Sequence, residues 1–186
     1  MSKDQRVGRD LAEPDHHEER LWAAYLTFYR EQLARAVLAL TPGARRSVLV
    51  PSGWSPIEML SHVLHMEQRW FVWGFLGERV AEPWGDWTVD EPWADGADGR
   101  WYVATDVTAE RLAERLTEIG ARTTEVLATH PLTARAHLDG RFAEDPPTLE
   151  WICFHVLAEY ARHAGQLDVV IELSAGPGEA QALSAR

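Results

Sequence analysis

Four stretches of this 186-residue chain place an apolar residue at every third or fourth position, the spacing that lays a hydrophobic stripe along one side of an α-helix. The first reaches Leu40 from about residue 15, carried by Trp22, Tyr25, Phe28, Tyr29, Leu33, Val37 and Leu40, and stops at Thr41-Pro42-Gly43. The second has the clearest start: Ser55-Pro56-Ile57-Glu58 combines a capping serine, a proline where no N–H is needed and a glutamate that can bond back to the cap. It is expected to run to about Leu76. The third extends from Thr108 to about Ala128 on Leu112, Leu116, Ile119, Val126 and Leu127, and ends near His130-Pro131. The last covers about residues 148 to 174, between Asp145-Pro146-Pro147 and Ser174-Ala175-Gly176-Pro177-Gly178.

Four helices without a plausible core strand predict an all-α protein, a four-helix bundle with long crossover loops. Residues 1–14 read as a flexible N-terminal arm, 15–174 as the bundle domain and 175–186 as a flexible C-terminal tail. Residues 78 to 104, with Trp84, Trp87, Trp93 and Trp101 among prolines and glycines, show no period; such a loop is expected either to close over a site as a lid or to cap the open end of the bundle. The connection 131–147 has room for a short hairpin around Asp139-Gly140.

Composition narrows the function. A net charge of −11 works against binding a phosphate backbone, so no nucleic-acid partner is expected. Cys153 is the single cysteine, which rules out an intramolecular disulfide and fits a reducing compartment. Neither a secretory signal nor a run of ~18 apolar residues is present, and a soluble cytoplasmic protein is expected. Exposed faces of helical bundles often pair with two-fold symmetry, so a homodimer is compatible with the pattern.

The chemistry sits on two of the helices. At roughly a hundred degrees per residue, Ile152, Val156, Glu159, His163, Leu167 and Val170 share one stripe of the last helix, which puts an acid and an imidazole on its core-facing side. A buried carboxylate needs a cation, a hydrogen-bonded network or a raised pKa. Glu159 and His163 lie one turn apart and can reach one ion, although this spacing also suits a plain hydrogen bond. On the second helix His62 interrupts the stripe of Met59, Met66, Trp70 and Trp73, with His65 set to one side beside Glu58 and Arg69. A lone core histidine is commonly just hydrogen-bonded, but three polar groups at core-facing positions make a two-histidine, one-carboxylate set with one position left for water or substrate. His155, one turn before Glu159, is a candidate fourth ligand or a contact to the ligands, and Arg162 a candidate anion contact unless it is simply solvated.

Gly53-Trp54-Ser55-Pro56-Ile57-Glu58 leading into His62-Val63-Leu64-His65-Met66-Glu67-Gln68-Arg69-Trp70, together with Glu159-Tyr160-Ala161-Arg162-His163-Ala164-Gly165-Gln166-Leu167-Asp168, resembles the DinB-like superfamily of metal-binding four-helix proteins over about residues 18 to 174. The Glu159-x-x-x-His163 pair is similar to the mycothiol-dependent branch, whose metal triad is His, Glu and His. The resemblance implies a divalent metal, usually zinc, and thiol S-transferase or isomerase chemistry with a low-molecular-weight thiol such as mycothiol acting on an electrophilic substrate. Nickel, iron, manganese or copper would also suit the donors.

The leading expectation is therefore an enzyme that ionises a cofactor thiol at the metal and directs it at an electrophile. Cys153 is read as a packing residue with no part in that step. Two other readings fit the same residues: a metal-dependent hydrolase, which would act without added thiol, and a metal-stabilised binding or dimerisation module without activity.

Overall fold

The computed structural model describes residues 17–83, 102–138 and 140–183. The N-terminal arm and the Trp84 to Trp101 segment with its expected lid or cap lie outside the described residues. In chain order the elements are α1 (His17–Ala39), α2 (Pro42–Arg45), α3 (Pro56–Glu67), a π-helical segment (Gln68–Phe75), α4 (Ala109–Thr129) and α5 (Leu149–Leu183). Among the described residues the only β pairing is an isolated antiparallel bridge between Arg135 and Thr148. The molecule is all-α, as its periodicity requires.

Local signals place the helix starts. Glu58 accepts from both the Ser55 backbone N–H (2.8 Å) and the Ser55 hydroxyl (2.6 Å), closing the first turn of α3. Thr108 accepts from the Arg111 N–H at 3.2 Å at the head of α4. Thr41-Pro42-Gly43 does stop α1, but it also begins the one-turn α2, capped by the Thr41 hydroxyl. Arg45 of α2 then donates to the carbonyls of Leu38 and Leu40, which α1 leaves open at its end.

Three departures from the sequence reading matter. The second long helix does extend to Phe75, but from Gln68 it widens to π geometry, visible in the Leu76 N–H donating to the Phe71 carbonyl at 3.1 Å. This widening turns successive side chains off the expected stripe, and all seven residues from Arg69 to Phe75 are buried. Residues 137–138 and 140–141 pack on the end of this segment: His137 N–H bonds to the Phe75 carbonyl, and a Cβ on Gly140 would stand 2.1 Å from the Trp73 carbonyl. Only glycine permits that approach; Asp139, the other half of the expected hairpin turn, lies outside the described residues.

Second, α5 continues to Leu183 instead of ending before Ser174. Pro177 forfeits its own backbone hydrogen bond, while its neighbours keep helical conformation on either side. Third, Tyr25 and Phe28 of α1 are half exposed, whereas Leu26, Arg30, Leu33 and Val37 are buried. The true inward stripe of α1 contains an arginine.

The core lies where α1 and α3 pack on α4 and α5, filled by Leu26, Leu33, Met59, Leu60, Leu116, Leu127, Ile152 and Tyr160. No helix among the described residues is long and apolar enough to cross a membrane.

Candidate metal centre

His62 stands in the second turn of α3, where Met59, Leu60 and Val63 around it are buried. Glu159 and His163 come from consecutive turns of α5. His62 Nε2 and His163 Nε2 are 3.1 Å apart, and His163 Nε2 is 3.1 Å from Glu159 Oε2. One ligand atom from each residue lies within 4.8 Å of the other two.

These separations bear on what the three residues can hold. Donors each about 2.0–2.1 Å from a tetrahedral ion lie roughly 3.3 Å from one another. The His62–His163 and His163–Glu159 spacings are close to that requirement. His163 adds a second argument, because its Nδ1 donates to Gln166 Oε1 at 2.9 Å. A neutral imidazole protonated at Nδ1 presents a lone pair at Nε2, and here that lone pair faces a carboxylate oxygen and a second imidazole nitrogen. Three such donor atoms turned toward one point suit a divalent cation held between them. The Gln166 contact is also the kind of outer hydrogen bond that fixes the tautomer of a metal-binding histidine.

Electrostatics agree with a neutral His62. Burial, followed by the charges of His163, Arg69 and His65, pushes the pKa of the partly buried His62 down to about 2. His163 is 6% exposed, and the Glu159 side chain retains 27% exposure, which leaves the carboxylate as the face open to an incoming molecule.

The other sequence candidates fall elsewhere. His155 is outside the three-residue group; its ring stacks on Trp151 (5.3 Å between centroids, 7° between planes) and meets Trp70 at 4.2 Å. Burial is the main cause of its lowered pKa, with Glu159 opposing and Arg141 and Arg69 reinforcing. Arg162 is exposed on α5. His65 is buried, donates from Nδ1 to the Ser61 carbonyl at 2.7 Å and has Glu82 3.9 Å from Nε2. The Cys153 thiol is fully buried, and burial followed by the charge of Glu150 raises its pKa to about 12. A thiol so hard to ionise is no nucleophile at neutral pH.

Two sets of residues near the site were missed by periodicity. Arg69 and Arg141 form a cationic flank: burial, then the Arg141 charge, lowers the Arg69 pKa to about 9, while Glu159 raises it. Beneath the site lies a buried polar knot joining all four long helices. Glu67 of α3 accepts from Arg30 Nε (3.0 Å) and its terminal nitrogen (2.6 Å), from the Thr123 hydroxyl (2.6 Å) and from the Tyr160 hydroxyl. Burial opposes the Arg30 charge, but the Glu67 carboxylate outweighs it and raises the Arg30 pKa; burial, with the Glu67 charge, raises that of Tyr160. Glu67 is five residues from His62 and Tyr160 adjoins Glu159, so the knot fixes α3 against α5 where the ligands project.

A family model described as Mycothiol-S-transferase matches residues 21–176. No curated protein matches the chain.

Proposed function

The chain is a DinB-like protein that belongs to the mycothiol S-transferase family over residues 21–176, and we propose that it is an enzyme that transfers a low-molecular-weight thiol, mycothiol or a close analogue, to an electrophilic substrate at His62, Glu159 and His163. The observation that carries this reading is the convergence of those three donors from two helices, with His163 Nδ1 held by Gln166. A divalent cation bound there, zinc being the best match to two imidazoles and a carboxylate, supplies the Lewis acidity that takes a thiol from a pKa of about 8.5 to its ionised form at neutral pH.

The chain's own residues do the rest. Neutral His62 offers a lone pair without a competing proton, because burial disfavours its imidazolium form. Gln166 keeps the His163 ring turned toward the site. Glu159 sits on the open side, where its carboxylate can receive the thiol proton. The buried Cys153 takes no part. The reading entails a reducing, cytoplasmic setting in which the small thiol stays reduced.

The test is a conjugation assay on protein stripped with a chelator and reloaded with zinc. Thiol addition to an electrophile is expected to need both the metal and mycothiol, and to return on reloading. Rates equal to those without protein would overturn the reading, and turnover of an ester or amide without thiol would favour hydrolysis instead.

A further inference from the structure

α5 is apolar on every side, not only where it meets the core. From Trp151 to Leu167 the exposed positions are Trp151, Phe154, Ala158, Ala161, Arg162 and Gly165, so Arg162 alone puts a charge on the outward face. A helix face left in water is ordinarily charged, and a helix that is apolar all round is covered. α1 repeats the pattern, its exposed positions from Leu21 to Arg30 being Leu21, Ala24, Tyr25 and Phe28. Together the two helices carry seven of the eleven large hydrophobic side chains left exposed among the described residues, so this apolar surface is concentrated rather than scattered.

The two stripes lie side by side. Trp22 meets the Phe154 ring edge-on, 4.6 Å between centroids, and Arg30 and Tyr160 hold the same Glu67 carboxylate. α1 and α5 therefore run parallel, Trp22 level with Phe154 and Arg30 with Tyr160. Gly165 adds an independent sign. Gly120 and Gly140 leave no room for a Cβ, against Arg30 and the Trp73 carbonyl, but a Cβ on Gly165 would meet nothing within 4 Å. No contact inside the chain calls for glycine in the middle of this long helix, where it is unfavourable. A surface approaching closely from outside would.

The face is its own complement. Read from opposite ends, the α5 stripe sets Phe154 against Gly165 and Ala158 against Ala161, and the α1 stripe sets Tyr25 against Phe28. The midpoints of the two stripes stand at the same height to within one helical turn, so a single two-fold axis across both helices serves both. We propose that this face pairs two copies of the chain, each α5 antiparallel to the other, with the Phe154 ring of one copy seated over Gly165 of the second.

The size of the face suits a second copy. Tyr25, Phe28 and Phe154, each about half exposed, leave roughly 300 Å² of aromatic surface in water. That is over a third of the ~800 Å² per partner of a standard interface, with Leu21, Val169 and the bare helix at Ala158, Ala161 and Gly165 still to add. Charge stays at the rim and has no net sign. The pairing brings Glu18 opposite Arg35 and Glu150 near Asp168, one attractive and one repulsive contact, both exposed and worth little. Apolar contact carries the association.

Sedimentation equilibrium on metal-free protein without thiol tests this, independently of the transferase reading. Wild type is expected to sediment at twice the mass of the chain at about 20 µM. Ala161→Glu, which buries a charge at the axis, is expected to weaken the dimer at least roughly 10²-fold, and Val48→Glu, off the face, to stay within about threefold of wild type. Gly165→Leu fills the hollow and Phe154→Ala removes the ring, each expected to weaken pairing about tenfold or more; the double variant is expected to recover most of one such loss, since the new leucine takes the place of the ring. A wild-type monomer up to about 100 µM, or an undiminished dimer of Ala161→Glu with unchanged circular dichroism, would overturn the proposal. So would a double variant no better than the weaker single one, which would break the pairing of Phe154 with Gly165.

Discussion

Replacing His163 with alanine is expected to strip the protein of its metal and to lower thiol conjugation by at least roughly 10²-fold, beyond the 10–100-fold typical of losing an outer contact to a ligand. His163 is the hub of the cluster, 3.1 Å from both His62 and Glu159, and no other described residue can substitute for it. Gln166→Ala provides the graded companion. It leaves all three donors in place but frees the His163 ring to rotate, so its loss of metal affinity is expected to fall within that 10–100-fold range. Metal content of the purified variants and initial rates with mycothiol read both effects. Circular dichroism of the metal-free forms separates them from misfolding.

The second large effect is on stability. Arg30→Met removes the guanidinium that gives Glu67 two of its hydrogen bonds and leaves a fully buried carboxylate without its counter-charge. Breaking a buried pair from one side costs about 3–5 kcal/mol, which in a chain of this length lowers Tm by roughly 10 °C. The double variant Arg30→Met with Glu67→Leu is expected to recover part of that loss, because it removes both charges together. Gly120→Ala attacks the same knot from α4: its Cβ would lie 2.4 Å from the Arg30 guanidinium carbon, which cannot swing aside without leaving Glu67. Overpacking of this kind costs about 1–3 kcal/mol despite the better helix propensity of alanine. Thermal denaturation of the four proteins checks the order. Equal Tm for wild type and Arg30→Met would mean that the knot contributes nothing to the fold.

Much of this architecture was legible in the sequence because its determinants are local. Ser55-Pro56 and Thr108 set helix starts through bonds to residues three positions away, and the 3.6-residue period carried the stripes. Glu159 and His163 were legible for the same reason: one turn of one helix joins them. The polar knot was not. A sequence projection sends charged residues outward, and Arg30 and Glu67 are buried only because they meet each other across 37 positions. The same blindness put Tyr25 and Phe28 on the inner stripe of α1, whose register is set by Arg30 and Leu26. Nor does Gln68 to Phe75 advertise π geometry, since that widening accompanies the backbone of His137 and Arg141 bonding to its end. His155 is a candidate fourth ligand or a contact to the ligands by its spacing to Glu159, and that spacing does not reveal the contacts its ring makes with Trp70 and Trp151.

The knot and the ligand cluster belong to one argument. Glu67 ties α3 to α1, α4 and α5 one turn beyond His62, and Tyr160 brings α5 to it beside Glu159. Donors 3.1 Å apart on separate helices can hold a common ion only if the helices keep their relative height, and a buried, fully bonded carboxylate resists sliding.

Anomalous diffraction at the zinc edge, from crystals of protein purified without a histidine tag and loaded with zinc, addresses this most directly. One peak is predicted, about 2.0–2.2 Å from His62 Nε2, His163 Nε2 and a Glu159 oxygen, with at least one further position open to solvent or thiol. A zinc ion held by other residues, or crystals without any such peak while the three side chains stay hydrogen-bonded to one another, would contradict it.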